Sequence, residues 1–188
     1  MGDPQPQKSR KSKTQFIHAA LEILADEGNV KALTIDILCQ QLGVSKGSFY
    51  WHFKGRAQLI EALVAFWADE FQQSIHQRIR QSAHDKPERA FEELIGFWLS
   101  SNFSRLDQVM RNWAREEDAV AAAVHHADQL LMNFVAQLFV AMGNDEIEAH
   151  HRARLLIAVG IAEPQIQHLP HAGSADEAAR WVATKLLR

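Results

Sequence analysis

The sequence predicts an all-α protein of about nine helices. Three observations lead there. Apolar residues recur at i, i+3, i+4 and i+7 in most segments, as Ile17, Ala20, Leu21 and Leu24 do. No stretch sustains the alternation of a half-buried strand. Breaks such as Gly28, Gly43, Gly143-Asn144, Pro164 and Pro170 fall between the periodic segments.

Taken in order, residues 1–12 read as a disordered basic arm, with two prolines followed by Lys8, Arg10 and Lys11. Thr14 is a capping candidate for the first helix, and Gly28 ends it. Thr34 opens a short second helix through Ile35, Leu38, Cys39 and Leu42, which Gly43 stops. Ser45 caps a third, with Phe49 and Phe53 four residues apart on its inner side. A longer helix runs from Arg56 towards Ser82. Pro87 suits the first turn of the next one. Further helices are expected over 88–100, 104–116, 120–142, 145–161 and 175–187. The expected organisation is an arm over 1–12, a compact helical domain over 13–58, and a larger helical domain over 59–188.

Composition narrows the function. The formal net charge is −3. It divides unevenly, with eight basic and five acidic residues in 1–60 against twelve and eighteen in the remainder. A basic front on an acidic body suits a protein whose N-terminal third alone meets a polyanion. No run approaches the roughly 20 apolar residues of a membrane span. Met1 to Lys13 lacks the apolar core of a secretory signal. Cys39 is the single cysteine, so no intramolecular disulfide exists, in keeping with a reducing cytoplasm. Phosphate-binding loops and convincing nucleophile–base sets are absent from the sequence, so an enzyme is not expected, and neither is a cofactor. The adjacent pairs His125-His126 and His150-His151 point about 100° apart on a helix and chelate nothing alone, so no metal site is expected.

The informative stretch is Leu33 to Leu59, LTIDILCQQLGVSKGSFYWHFKGRAQL. It reads as a helix, a glycine-centred turn and a second helix. With Phe49 and Phe53 turned inward, Lys46, Ser48, Tyr50, Trp51 and His52 fall on or near the other face, and Lys54 and Arg56 lie just beyond. Hydroxyls, cations and helix-terminal amides in one patch suit phosphates flanking a DNA groove.

These residues resemble the DNA-binding domain of the TetR family of regulators. The matching pattern runs through Ile17, Ala20, Leu24, Gly28 and Thr34, then the string Gly43-Val44-Ser45-Lys46-Gly47-Ser48-Phe49-Tyr50, with His52, Phe53, Arg56 and Leu59 following. The resemblance implies a recognition helix in the major groove, with Lys46, Gly47 and Ser48 nearest the bases. It implies phosphate contacts from Tyr50, Trp51 and His52, and clamping of the flanking backbone by Thr34 and Arg56, helped by Lys54. Ser45 belongs to the same surface. Two positions depart from the pattern. Ile37 stands where a polar residue is usual, and Gly55 replaces a better cap before the fourth helix.

The rest of the chain matches the family in plan more than in residues. The resemblance implies a homodimer on a palindromic double-stranded operator, released by a small apolar or aromatic effector. The last two helices are expected to pair across the two-fold through Leu155, Leu156, Val159, Trp181, Val182 and Leu186. Trp98, Phe103 and Trp113 are the expected walls of an effector pocket. The alternative is a structural dimerisation protein of the same fold without sequence-specific DNA binding.

Overall fold

The computed structural model describes residues 11–84, 86–98, 101–166, 168–170 and 173–186. Among them every regular element is helical. They are α1 (Lys13–Glu27), α2 (Ile35–Leu42), α3 (Lys46–Tyr50), α4 (Arg56–Phe66), α5 (Gln72–Ser82), α6 (Pro87–Trp98), α7 (Ser101–Trp113), α8 (Asp118–Ala141), α9 (Glu146–Ala162) and α10 (Ala175–Leu186). A π-helical turn, Trp67–Phe71, joins α4 to α5 without a break, so the ten labels describe nine rods. Short 3-10 turns stand at Val30–Ala32 and Glu163–Gln165.

The helix ends follow capping chemistry. Ser12, not Thr14, caps α1: its hydroxyl accepts from the Gln15 amide at 3.2 Å while the Gln15 side chain accepts from the Ser12 amide at 2.9 Å. This reciprocal box satisfies two amides that a helix start leaves bare, and Thr14 falls inside the helix. Most of the expected basic arm, residues 1–10, lies outside the described residues. Gly28 closes α1 at φ 72°, a left-handed conformation that glycine adopts without strain. Asp145 caps α9 through the amides of Ile147 and Glu148 at 3.0 and 2.9 Å.

The π turn is the main departure from the expected single α-helix over 56–82. It admits one extra residue, so the buried side chains step by four through Leu59, Leu63 and Trp67, then by five to Gln72, before resuming at Ile75 and Ile79. The Trp67 indole is buried and its N–H has no hydrogen-bond partner.

The extra residue matters because the rod serves two cores. The first gathers α1 to α4 with Trp67 and Ala68, then Leu106, Val109, Met110 and Trp113 of α7, then Val120, Val124 and Ala127 from the front of α8. The second gathers Ile75 and Ile79 of α5 with Phe91 and Leu94 of α6, Phe134, Val135, Leu138 and Phe139 from the back of α8, and Ala149, Ala153 and Leu156 of α9. Phe71, at the end of the π turn, packs against both. The first core runs through the expected boundary between residues 58 and 59. α1 packs on α7 and α4 on α8, so the N-terminal helices share one cluster with them. Arg105 of α7 adds a bond to the end of α1, donating to the Asp26 carbonyl at 2.7 Å. A semi-buried charge cluster locks α7 to α8: Arg111 donates to Asp107 at 2.7 Å and to both carboxylate oxygens of Asp128 at 3.0 and 2.6 Å.

Candidate nucleic-acid interface

The site starts from the turn between α2 and α3. Gly43 takes φ 65° and its amide returns to the Cys39 and Gln40 carbonyls, while the Val44 amide reaches the Cys39 carbonyl at 3.0 Å. A β-carbon there would make this left-handed backbone costly. The reversal aims α3 across α2. Thr34 caps α2, its hydroxyl accepting from the Ile37 amide at 3.2 Å. Ser45 stands at the cap position of α3 without a side-chain bond.

Aromatic packing sets which way α3 faces. Phe16, Phe49 and Phe53 are fully buried and form a three-ring cluster with centroids 5.3 to 6.1 Å apart. Each such ring contributes about 1.5–3 kcal/mol when buried, so rotating α3 to hide its other side would forfeit the cluster. The opposite side therefore stands in solvent. Tyr50 is 55% exposed, its ring edge-on to Phe49, and Trp51 is 67% exposed. Lys46, Gly47 and Lys54 are exposed and Ser48 is half-buried.

Two of the expected contact residues also hydrogen-bond within the protein, His52 half-buried and Arg56 exposed. The His52 ring donates from Nε2 to the Lys11 carbonyl at 2.8 Å and lies 5.5 Å from the Phe16 ring, which ties α3 to the start of α1. Arg56 donates from Nε to the Leu33 carbonyl at 2.7 Å and from Nη2 to the Val30 carbonyl at 2.8 Å. It bolts the first residue of α4 to the strap before α2, and so couples the connecting rod to the site. The missing cap at Gly55 is replaced from within α4, where Gln58 accepts from the Lys54 amide at 2.7 Å. Ile37 is exposed on α2. Sequence reasoning missed Asp36, whose carboxylate meets the Lys46 ammonium at 2.6 Å and holds it above the ordinary lysine range through that bond. The signal was available: both residues lie in the first turns of the helices on either side of the same tight turn.

Among the described clefts none is lined by all three expected pocket residues. Trp113 is buried in the first core beside Met110. The Trp98 ring lies on the bare backbone of Gly160 in α9, where a β-carbon would come within 2.7 Å of it. Both rings pack against the protein, Trp113 buried and Trp98 half-buried. Phe103 borders a cleft of about 440 Å³ between α1 and α7 with His18, Phe71, Phe97 and Leu106 on its walls. A second cleft of about 470 Å³ lies between α5 and α8, lined by Gln73, His76, Arg80, Asn133 and Gln137. Within it His76 stacks on Phe134, centroids 4.3 Å apart and planes within 5°. Burial, then the nearby Arg80 charge, lowers the His76 pKa to about 4.

The expected pairing face is divided. Leu155 is 57% exposed on α9 and Trp181 stands exposed on α10, whereas Leu156 is 4% exposed and belongs to the second core. Adjacent helical residues point about 100° apart, so the core takes Leu156 and leaves Leu155 in solvent. Val159 and Val182 are half-buried, and the Leu186 side chain lies outside the described residues. No described helix is long and apolar enough to cross a membrane. Among the described residues no group of three or more His, Cys, Asp or Glu is placed to hold a metal ion.

A tight glycine turn, a buried aromatic hinge and an outward second helix define a helix-turn-helix protein. Residues 16–63 match the sequence profile of bacterial regulatory proteins of the tetR family. The chain carries that match over α1 to α3 and most of α4, about a quarter of its length. It is 33% identical over 58 residues to the HTH-type transcriptional regulator TtgW of Pseudomonas putida, a stretch covering 31% of this chain and 42% of that one. The same degree of identity to the regulator SrpR of Pseudomonas putida covers 27% of that protein, so the chain spans less than half of either relative. A longer match, 27% over 182 residues, covers 96% of this chain and 76% of the HTH-type transcriptional activator FasR of Mycolicibacterium smegmatis. The whole fold overlays a TetR transcriptional regulator from Legionella pneumophila with a TM-score of 0.72 at 14% identity, covering 95% of this chain and 98% of that one.

Proposed function

We propose that the protein is a cytoplasmic transcriptional repressor that binds a palindromic DNA operator as a homodimer and leaves it when a small molecule binds. The observation that carries the reading is the outward side of α3. Tyr50 and Trp51 stand in solvent directly above a fully buried phenylalanine cluster, beside Lys46 and Ser48 at the helix start. Large exposed aromatics next to cations are poorly accounted for by folding, and well accounted for by a polyphosphate surface. In this reading Lys46, Gly47 and Ser48 approach base edges, Thr34, Ser45, Tyr50, Trp51 and Lys54 meet backbone phosphates, and His52 and Arg56 position the others. The apolar Leu155 and Trp181 on α9 and α10 are read as part of the two-fold interface, which sets the spacing of the two recognition helices.

The effector reading rests on the cleft between α1 and α7. It sits where the two cores meet, with Phe71, Phe97 and Phe103 offering flat apolar walls. An apolar or aromatic molecule seated there acts only through its differential affinity for the two arrangements of the cores. The sign of regulation depends on where the operator lies, and FasR is named an activator.

Gel retardation against a palindromic duplex library tests the reading. The expected result is selection of one inverted repeat, with affinity falling about 10³–10⁵-fold between 50 and 200 mM salt. Retention of no sequence at any salt concentration would leave the alternative, a dimerisation protein without sequence-specific DNA binding.

A further inference from the structure

The ion pair between Asp36 and Lys46 sits in the middle of the surface assigned to DNA. Asp36 lies in the first turn of α2, where the helix dipole favours a carboxylate. Lys46 is the first residue of α3. Their 2.6 Å contact spans the Gly43 turn, and the two side chains are 71% and 59% exposed. An anion on a face meant for phosphates repels them, and here it also occupies the cation beside it. Nothing in the packing demands the pair, since neither side chain supports either core.

We propose that Asp36 is a specificity filter, a carboxylate that withholds Lys46 from phosphates of arbitrary sequence. The proposal rests on the DNA-binding reading above. Random duplex offers the pair only phosphates, which gain nothing from a neutralised lysine and are repelled by the carboxylate. A matched sequence offers both ends a partner. Guanine O6 and N7 accept from the lysine, and the amino group of cytosine N4 donates to the carboxylate. The pair thus weakens the sequence-independent share of affinity, which phosphate neutralisation otherwise dominates.

The test measures fluorescence anisotropy of a labelled random-sequence duplex against the full-length protein between about 50 and 200 mM salt. Asp36→Asn is expected to bind it roughly five- to tenfold more tightly per protomer at the low-salt end, the scale of one released charge near a phosphate. The slope of log affinity on log salt should steepen by about 0.9 per protomer as one further counterion is released. Asp36→Glu, which keeps the charge, should return both values to those of the wild type. In a Lys46→Met background, the gain from Asp36→Asn should fall to less than half on a logarithmic scale. Unchanged melting curves establish that each variant is folded. A gain under twofold with an unaltered slope, or an equal gain without Lys46, overturns the filter. Wild-type protein that binds no duplex at 50 mM salt overturns the DNA-binding reading itself, and the filter with it.

Discussion

Replacing Arg111 by methionine removes the guanidinium that joins α7 to α8 while keeping most of the aliphatic stem. The charge makes one contact to Asp107 and a two-pronged one to Asp128. The three side chains are roughly a fifth to a third exposed. A fully buried pair broken from one side costs about 3–5 kcal/mol, and an exposed one about 0–1 kcal/mol. This cluster falls between, so Arg111→Met should lose about 2 kcal/mol of unfolding free energy. For a chain of this size that lowers Tm by about 4–8 °C. The pH dependence sharpens the expectation. Burial already pushes the Asp107 carboxyl up despite Arg111 beside it. A group whose native pKa is raised contributes stability that is complete below its unfolded value and lost as pH rises through the native one. Removing Arg111 raises Asp107 further. The deficit of the variant against the wild type should therefore be largest near neutral pH and shrink as pH falls towards about 4. Urea titrations of both proteins at about pH 7.5 and 5 measure this. A deficit under about 1 kcal/mol, or one equal at both values, refutes the reasoning, since it would mean that the cluster behaves as a solvated surface pair.

Other consequences are as concrete. Tyr50→Ala should change unfolding free energy by no more than about 0.5 kcal/mol while weakening duplex binding by about 1–2 kcal/mol, as read by anisotropy; an unfolded variant would make the ring a packing residue. Arg56→Met should lose about 1–2 kcal/mol of stability in urea, and Arg56→Lys should not recover it, because one ammonium cannot reproduce the fork onto two carbonyls. His76, with its pKa lowered to about 4, contributes stability above the ordinary histidine value that is lost as pH falls from about 6.5 towards 4. His76→Phe should therefore lack about 2–3 kcal/mol of the acid sensitivity of the wild type in paired urea titrations. Leu155→Glu should shift the protein towards monomer in sedimentation without altering its helical content, and an unchanged dimer would move the interface elsewhere.

Legibility in the sequence tracked how local the determining interactions were. The helix-turn-helix was readable because its signals are short-range: a left-handed glycine at 43 and two phenylalanines four apart at 49 and 53. The roles of His52 and Arg56 were not, because their partners are backbone carbonyls at Lys11, Val30 and Leu33, and a carbonyl leaves no mark on residue identity. The π turn was hidden for a related reason. Apolar residues at 63, 66, 67 and 71 fit an α-helix as well as one with an extra residue, and only the demand of two separate cores decides. Leu155 and Leu156 look alike on paper, and packing alone sends one inward. Trp113 went to the first core because tryptophan at helical spacing finds a wall more readily than a void.

The longest helix has a mechanical implication. α8 spans 24 residues and lends its front to one core and its back to the other. At 1.5 Å per residue it is a beam about 36 Å long, close to the ~34 Å that separates neighbouring half-sites on DNA. Tilting such a beam by about 5° about one end displaces the other by about 3 Å. On the proposed DNA-binding reading, a disturbance at one end is thereby carried to the other as a shift about as large as a base-pair step.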